Sequence, residues 1–265
     1  MIVAMTTRIL VDISSDGTPQ SPTRVEVEAP PLKKYEEVLI DGEVYVRKTK
    51  EWEEYQRSHA LRYALMSSGI PAFVSDLTLD DYVDPRHENP NLGRLKKYVA
   101  EFESRYRTVH LYIWSHMNGT QKTTTASIVA KSLIQNGFVC RFVLMGDLIR
   151  CLSSLEDEEK EENQYRISSW ADCDFLVIDD SFDKKKATIY RSQFQISFLD
   201  QFLRKRLEID RKATCFTSNF SISEIDETVF GLSLKKLVER SVPDPFEFSI
   251  PYTLRNDFDP DELWK

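Results

Sequence analysis

Lys122 and Thr123 are the residues of this 265-residue sequence whose types and position most directly suggest chemistry. They open a segment with helical hydrophobic spacing, and a polar turn at 115–121 separates it from the apolar run 109–114. A strand, a tight loop and a helix that starts with Lys-Thr form a typical phosphate-binding site. Backbone N–H groups surround the anion, the lysine reaches the outer phosphates, and the hydroxyl binds Mg²⁺. Gly119 allows the loop to turn. Together, the loop, the lysine and the hydroxyl predict a nucleotide site.

The match to the phosphate-binding pattern G-x-x-x-x-G-K-[ST] is incomplete. Laid on residues 116–123, the pattern has His116 and Gln121 where the two consensus glycines stand. Gln121 keeps its backbone N–H, but its side chain is expected where the backbone should approach phosphate closely. The candidate nucleotide-binding residues are Asn118, Gly119, Thr120, Gln121, Lys122, Thr123 and Thr124. The alternative interpretation is an ordinary turn between a strand and a helix, with a chance Lys-Thr pair.

Polar residues also end two further hydrophobic segments. The strand-like run 174–180 ends in Asp179 and Asp180, and a second such run ends in Asn219. The carboxyl ends of parallel strands meet at one edge of a sheet, so we expect these side chains close to the loop. Asp179 can then hold Mg²⁺ together with Thr123, and Asp180 can orient an attacking water. Taken alone, each of these polar residues can equally be a turn former.

Composition and charge restrict the class of protein. Hydrophobic residues make up 41% of the chain and the mean hydropathy is −0.41, values typical of a soluble globular protein. No run approaches the roughly 18 apolar residues of a membrane span, and the start is too short for a signal-peptide core. The net charge of −8 argues against a surface on which positive charge is widespread and binds nucleic acid. The cysteines form no C-x-x-C pair, which predicts buried thiols, no zinc site and a cytoplasmic protein.

The order of patterns along the chain predicts an α/β fold. From residue 109 onward, strand-like and helical segments alternate, which indicates a parallel sheet with helices on both faces. Residues 1–49 have short β-prone runs with Asp41-Gly42 as a hairpin turn, and residues 49–67 have helical spacing. The predicted domains are an N-terminal adaptor of hairpin and helix (1–71), a P-loop domain (72–256) and an acidic tail (257–265).

Six segments together carry a resemblance to a known family. They are LRYALMSSGIP (61–71), NGTQKT (118–123), MGDLI (145–149), FLVIDD (175–180), TSN (217–219) and LVERS (237–241). From about Leu61 to Asn256 the sequence resembles the DnaC-type replicative helicase loaders of the AAA+ class, including DnaI-like and phage-encoded members. The resemblance implies an AAA+ ATPase domain over 72–256 without a C-terminal helical lid. It also implies that ATP and Mg²⁺ bind between the subunits of a homo-oligomer.

The resemblance implies roles for further residues. Asn219 contacts the γ-phosphate or the attacking water, and Arg240 is the finger that reaches the γ-phosphate of a neighbouring subunit. The alternative for Arg240 is a surface arginine at a helix end. The N-terminal part of these loaders grips a hexameric DnaB-type helicase, so we expect the aromatic residues Trp52, Tyr55 and Tyr63 to face that partner. These rings can instead pack on the ATPase domain, in which case the acidic-aromatic tail is the next candidate.

The chain departs from the family at positions that matter for hydrolysis and for DNA. Asp180 stands where most members have Glu, and together with His116 and Gln121 this predicts ATP binding with slow hydrolysis. The segment 149–168 matches the position at which loaders and initiators touch single-stranded DNA, but its acidic run 156–162 would repel phosphate. The basic candidates for single-stranded DNA, which can also form a solvated face, are Lys184, Lys185, Lys186, Arg204, Lys205 and Arg206.

Two other classes of function stay open. A degenerate AAA+ protein that does not hydrolyse ATP can serve as a scaffold, such as an IstB-like transposition or replication adaptor. A small-molecule kinase is the other possibility, although Asn219 and Arg240 then have no role. Nucleotide binding, turnover and ATP-dependent assembly distinguish these functions from one another.

Overall fold

The computed structural model describes residues 5–10, 23–28, 33–40, 43–83, 90–153, 157–183, 193–248 and 253–254. The helices are α1 (Lys50–Ser67), α2 (Pro90–Ala100), α3 (Lys122–Gln135), α4 (Met145–Ser153), α5 (Asp157–Asp172), α6 (Gln193–Arg204) and α7 (Glu227–Ser241). The strands are β1 (Met5–Leu10), β2 (Thr23–Glu28), β3 (Tyr35–Ile40), β4 (Glu43–Lys48), β5 (Tyr82–Val83), β6 (Leu111–Trp114), β7 (Cys140–Leu144), β8 (Phe175–Asp179), β9 (Ala213–Ser218), β10 (Phe246–Glu247) and β11 (Thr253–Leu254).

The chain folds into two compact units, residues 1–60 and 61–265. The predicted domain boundary between residues 71 and 72 stays a prediction, and the predicted acidic tail (257–265) lies outside the described residues. In the first unit, β1 pairs with β2 and β3 pairs with β4, both antiparallel. The two strands on either side of the predicted Asp41-Gly42 hairpin turn are thus confirmed, whereas the turn itself lies outside the described residues.

Apolar side chains of the β3–β4 hairpin lie on the surface of the first unit. Leu39 is 70% exposed and Val46 is 67% exposed. On α1, Trp52 and Tyr55 are half-buried and stack on each other, with 5.2 Å between their ring centroids. Tyr63 lies in the second unit and is exposed. The described part of the β3–β4 hairpin therefore carries exposed apolar side chains.

The second unit is centred on a five-stranded sheet with the strand order β10-β6-β9-β8-β7. All four strand pairs of this sheet are parallel. Successive residues of β8 face opposite sides, because side chains alternate along a strand. Phe175 and Val177 pack into the core with α2 and α3, whereas Leu176 and Ile178 pack into the core with α4, α6 and α7. The predicted parallel sheet with helices on both faces is confirmed.

Two predicted helices end in π-helical turns instead of continuing as α-helix. Apolar residues at steps of three and four predict one helix over 95–106, but this helix is divided, since α2 ends at Ala100 and a π-helical turn covers Phe102–Tyr106. The sequence also predicts a long helix over 189–207, which is described from the start of α6 and ends in a π-helical turn over Lys205–Ile209. Hydrophobic periodicity alone does not reveal such turns, because their apolar residues stay close to helical spacing.

The outer edge of β7 is partly covered by the residues that follow α1. The carbonyl oxygen of Ser68 accepts a hydrogen bond from the N–H of Phe142 at 2.7 Å. Gly69 has a φ of +77°, and a Cβ atom at this position would lie 2.7 Å from the carbonyl oxygen of Phe142. Only glycine therefore fits this close approach between the chain and the sheet edge.

Several chemical features of the described ranges bear on the predictions from composition. Cys140, Cys151, Cys173 and Cys215 are buried free thiols, and burial raises their pKa above the usual value. The described His, Cys, Asp and Glu residues form no group of three or more that could hold a metal ion. In the same part of the chain, no helix is both long and apolar enough to cross a bilayer.

Candidate functional site

A cavity of about 360 Å³ opens at the carboxyl ends of β6, β8 and β9. Its lining residues are Asn118, Gly119, Thr120, Gln121, Lys122, Thr123, Thr124, Asp179, Asp180, Thr217, Ser218 and Asn219. The parallel sheet brings together the loop before α3 and the tips of the two central strands, as the rule for ligand sites in α/β sheets predicts. Every predicted site residue except Arg240 lines this cavity. Their chemical roles stay predictions.

The loop before α3 turns through two residues with positive φ. Gly119 has a φ of +75°, and Gln121 has a φ of 62° and a ψ of 26°, which is left-handed helical geometry. For a residue other than glycine this geometry costs roughly 1–2 kcal/mol. The amide oxygen Oε1 of Gln121 accepts a hydrogen bond from the Thr124 hydroxyl at 2.8 Å. The Gln121 side chain thus contacts the first turn of α3 while the residue still lines the cavity.

The backbone of Gln121 is held by the first turn of α3. Its carbonyl oxygen accepts from the N–H of Thr125 at 2.8 Å and from the Thr125 hydroxyl at 2.7 Å. That hydroxyl also contacts the buried hydroxyl of Tyr82 at 2.6 Å. His116, at the other substituted glycine position, lies outside the cavity lining, with its Nε2 3.3 Å from a carboxylate oxygen of Glu224.

The ammonium group of Lys122 is bound by neutral oxygens of its own loop. Its Nζ donates to the carbonyl oxygen of Met117 at 3.0 Å, to the Thr120 hydroxyl at 3.3 Å and to the carbonyl oxygen of Ser115 at 3.4 Å. Burial lowers the pKa of Lys122, and the Asp179 carboxylate acts in the opposite direction. A phosphate oxygen would be a stronger acceptor for this group than these neutral oxygens, because charge-assisted hydrogen bonds are stronger.

Asp179 is buried at the end of β8, with 6% of its surface exposed. The Thr123 hydroxyl donates to its Oδ1 at 2.8 Å, and the Thr217 hydroxyl donates to the same oxygen. Asp180 follows with a φ of 56°, and its N–H donates to the Thr217 hydroxyl at 3.1 Å. One carboxylate and two hydroxyls therefore meet at the corner of the cavity next to the loop.

Arg240 is not brought to the cavity of its own chain. Its side chain is about half exposed and forms an ion pair with the Glu208 carboxylate. Glu208 also accepts a hydrogen bond from Arg204 at 2.9 Å. Within a single chain, Arg240 is thus held on the surface formed by the end of α6 and α7.

The basic candidates for DNA contact are mostly engaged in other interactions. The expectation for Arg206 is wrong, because this side chain is buried. Its guanidinium donates to the Thr214 hydroxyl and to the carbonyl oxygens of Trp170, Ala171, Cys173 and Ala213. Arg204 pairs with Asp200 and Glu208, and Lys205 pairs with Asp210. The remaining candidates, Lys184, Lys185 and Lys186, lie outside the described residues.

A second cavity, of about 850 Å³, lies beside the first and shares Thr123 and Asp179 with it. It is lined by parts of β7, α4 and α5, and the segment 149–168 that the resemblance assigns to single-stranded DNA begins in α4 and ends in α5. Its two arginines pair with neighbouring carboxylates: Arg150 with Asp147 at 3.1 Å and Arg166 with Glu162 at 2.8 Å. These ion pairs reduce the positive charge that the segment offers to a phosphate backbone.

The sequence predicted that the polar end of β9, which includes Ser218, lies at the site, but it assigned no chemical role to Thr217 or Ser218, which also line the cavity. The Ser218 hydroxyl donates to the carbonyl oxygen of Ser181 at 2.8 Å. The available signal was position: Phe216 pairs with Ile178, so the next residue of β9 lies beside Asp179. A polar residue at that place in a buried strand can be expected to contact the carboxylate.

No protein-family model and no curated protein matches this sequence. Solved structures do match. DnaI superposes with a TM-score of 0.53 at 22% identity, over 67% of this chain and 93% of that chain. The DnaC helicase loader superposes with a TM-score of 0.52 at 20% identity, over 67% and 99%. The chain has the fold of DnaI and of the DnaC helicase loader. The predicted resemblance and the predicted α/β fold class are thereby confirmed at the level of the fold.

The same fold is found in a replication initiator. DnaA bound to AMPPCP and single-stranded DNA superposes with a TM-score of 0.50 at 15% identity, over 65% of this chain and 50% of that chain. The region of similarity therefore covers about half of the initiator chain. At these identities the likeness concerns the fold alone.

Proposed function

We propose that this chain is an ATP-binding AAA+ helicase loader that helps to place a hexameric replicative helicase on DNA. Its fold is that of DnaI and the DnaC loader, and its cavity collects the residue types of an ATP·Mg²⁺ site. The observation that carries the proposal is the hydroxyl of Thr123, which follows the loop lysine and donates to Asp179 at 2.8 Å. This pairing joins the phosphate loop to the acidic strand end, as P-loop chemistry requires.

The oxygen donors at this corner fit Mg²⁺. This ion usually keeps several waters and is bound through one or two carboxylates together with substrate phosphates. Asp179 and Thr123 supply one carboxylate and one hydroxyl. When bound, Mg²⁺ would neutralise charge on the phosphates. Lys122 and the N–H groups of the loop, from Asn118 to Thr124, would hold the phosphates of ATP.

Asp180 and Asn219 are the residues that we assign to the attacking water. Both line the cavity, on neighbouring strand ends. The Asp180 carboxylate would orient the water, and the Asn219 amide would hold the water or the γ-phosphate. An aspartate reaches one methylene less far than a glutamate, and Gln121 makes the loop bulkier than one with glycine. We therefore propose a weak ATPase in which binding exceeds turnover.

Arg240 is proposed to act on the ATP of a neighbouring subunit in a homo-oligomer. The support is its place outside its own cavity, on the surface with Glu208. Single-stranded DNA is a secondary proposal. It rests on the likeness to DnaA, whose solved complex contains that ligand, and the paired arginines of the second cavity weaken it.

The partner proposed for the first unit is a DnaB-type replicative helicase. The exposed apolar residues of the β3–β4 hairpin support a protein partner. The test is co-purification of the full chain with the replicative helicase of its host, with and without ATP and Mg²⁺. We expect the wild type to retain the helicase and Val46→Glu to lose it. Ile209→Glu is the matched control, since Ile209 is an equally exposed aliphatic residue (71%) in the second unit.

Two results would decide against this proposal. If no helicase co-purifies with the wild type, the loader function is wrong. If Val46→Glu retains the helicase as well as Ile209→Glu does, the helicase binds elsewhere on the chain. Both variants are expected to keep nucleotide binding, and far-UV circular dichroism compared with the wild type checks that the first unit of Val46→Glu stays folded.

A second candidate function is an ATP-binding scaffold without hydrolysis, such as an IstB-like transposition or replication adaptor. It is favoured by the left-handed Gln121 in the phosphate loop and by the short Asp180 carboxylate. Such a scaffold would bind ATP with no measurable release of phosphate. Nucleotide titration combined with a phosphate-release assay separates it from a working ATPase.

A further inference from the structure

Thr217 lies beside Asp179 because the two central strands run in parallel. Ile178 of β8 pairs with Phe216 of β9, so the residues that follow them are neighbours at the strand ends. Thr217 is 2% exposed. Its side chain is therefore enclosed between the sheet and the loops that form the cavity.

One hydroxyl group contacts both acidic residues of the cavity. The Thr217 Oγ1 donates to Oδ1 of Asp179 and accepts from the N–H of Asp180 at 3.1 Å. The backbone continues the contact, since the carbonyl oxygen of Thr217 accepts from the N–H of Ser181 at 2.7 Å. Thr217 thus holds a side chain and two successive backbone groups at the end of β8.

Both hydroxyls that reach Asp179 donate to the same carboxylate oxygen. Thr123 and Thr217 bond to Oδ1, whereas Oδ2 has no hydrogen-bond donor among the described residues. A carboxylate bound through one oxygen is fixed in orientation and keeps the other oxygen for a further ligand. Groups that orient a metal ligand in this way commonly affect metal affinity by 10- to 100-fold.

We propose that Thr217 is a positioning residue that orients the Asp179 carboxylate toward Mg²⁺ and holds the backbone of Asp180. This inference rests on the proposed function, because it concerns the metal that accompanies ATP. A purely structural role would be different. Thr217 would then fill space in the strand, and its methyl group would matter as much as its hydroxyl.

Substitutions that separate hydroxyl from shape test the proposal. Thr217→Val keeps the branched shape and removes the hydroxyl, whereas Thr217→Ser keeps the hydroxyl. Thr214→Val is the matched control, because Thr214 is buried on the same strand but contacts Arg206 and Lys212 instead of the cavity. The full chain is titrated with a fluorescent, slowly hydrolysed ATP analogue, first in EDTA and then over a series of Mg²⁺ concentrations.

The expected result is specific to the metal. Thr217→Val raises the Mg²⁺ concentration for half-maximal binding about tenfold or more, and its affinity in EDTA changes much less. Thr217→Ser and Thr214→Val stay close to the wild-type Mg²⁺ requirement. Thermal unfolding shows that each variant is folded, and Thr217→Ala takes the place of Thr217→Val, with the same expectation, if the latter does not fold.

Two outcomes would overturn the proposal, and they are distinguishable. If Thr217→Val needs no more Mg²⁺ than the wild type, or if Thr214→Val shows the same increase, Thr217 is not a positioning residue. The proposed function then stands. If the wild type binds no nucleotide in EDTA or in Mg²⁺, the proposed function fails and this inference falls with it.

Discussion

The two walls of the cavity differ in how closely they follow the pattern of a nucleotide site. In the loop, both consensus glycines are replaced, but only Gln121 lines the cavity, where it adopts a φ of 62° that glycine would adopt without strain. On the strand wall, Asp179 lies at the end of a fully buried strand and accepts hydrogen bonds from two threonines. The loop therefore departs from the pattern where its backbone would approach phosphate, and the strand wall departs from it at Asp180, whereas Asp179 and Thr123, the groups suited to a metal, are both present. We therefore expect this chain to bind ATP but to hydrolyse it slowly.

The strand wall is tested most strongly by Asp180→Asn. General base catalysis contributes about 10²- to 10⁴-fold to a rate, so we expect turnover to fall by about 100-fold or more, with little change in ATP affinity. Phosphate release and nucleotide titration measure the two effects. Asp172→Asn is a suitable control, since this aspartate is exposed and precedes the amino end of β8.

Two results would contradict this view of the strand wall. Unchanged turnover in Asp180→Asn would show that another group orients the water. A wild-type turnover in the usual enzyme range of about 1–10³ s⁻¹ would show that the substitutions in the loop do not slow ATP hydrolysis. The difference between the two walls would then have no effect on turnover.

The loop wall is tested by Lys122→Ala. Loss of a charge-assisted contact with phosphate should weaken ATP binding by about 1.5–3 kcal/mol, roughly 10- to 150-fold in Kd. Titration with ATP measures the change, and Lys96→Ala, which removes an exposed lysine paired with Asp80, should leave the Kd unchanged. Equal affinity in wild type and Lys122→Ala would exclude this loop as the phosphate site.

The same variant tests the proposed role of Arg240. Subunits with Lys122→Ala bind ATP weakly but keep Arg240, whereas subunits with Arg240→Ala keep an intact nucleotide site. If Arg240 acts on a neighbouring subunit, a mixture of the two should regain part of the ATPase activity. A mixture that never exceeds the sum of the two variants would show that Arg240 has no role in a neighbour.

The smallest expected effect concerns the backbone strain at Gln121. Gln121→Gly and Gln121→Ala both remove the amide that accepts from Thr124, but only glycine adopts a positive φ without strain. The glycine variant should therefore exceed the alanine variant by about 1 kcal/mol in the free energy of unfolding. Urea denaturation measures the difference. Equal stability would show that the loop relaxes away from left-handed geometry when the side chain is removed.

Local sequence patterns predicted most of the fold and of the cavity. The apolar run that forms β8 predicted a buried strand, and the polar ends of β8 and β9 predicted where the cavity lies. These features depend on residues close to one another in the chain and on the rule for parallel sheets. The positions of Asp179, Asp180 and Asn219 around one cavity follow from that rule.

Features that depend on distant partners could not be predicted in the same way. Arg206 was expected on a basic surface, but its partners are the Thr214 hydroxyl and carbonyl oxygens at the end of α5, just before β8 and at the start of β9. Every residue has a backbone carbonyl oxygen, so the sequence does not show which of them will accept a hydrogen bond from Arg206. The contact of Thr217 with Asp179 and the ion pair of Arg240 with Glu208 likewise depend on register and helix packing, not on local spacing.

The contact of Ser68 and Gly69 with β7 has a consequence for how the chain avoids aggregation. β7 is the outermost strand on its side of the sheet, and an uncovered edge strand is a template for pairing with another chain. The hydrogen bond from Phe142 to Ser68 occupies part of that edge. A truncated chain that begins at Pro71 would lose this cover and expose the edge to self-association. A truncated chain that begins at Leu61 lacks only the first compact unit and keeps the hydrogen bond between Phe142 and Ser68.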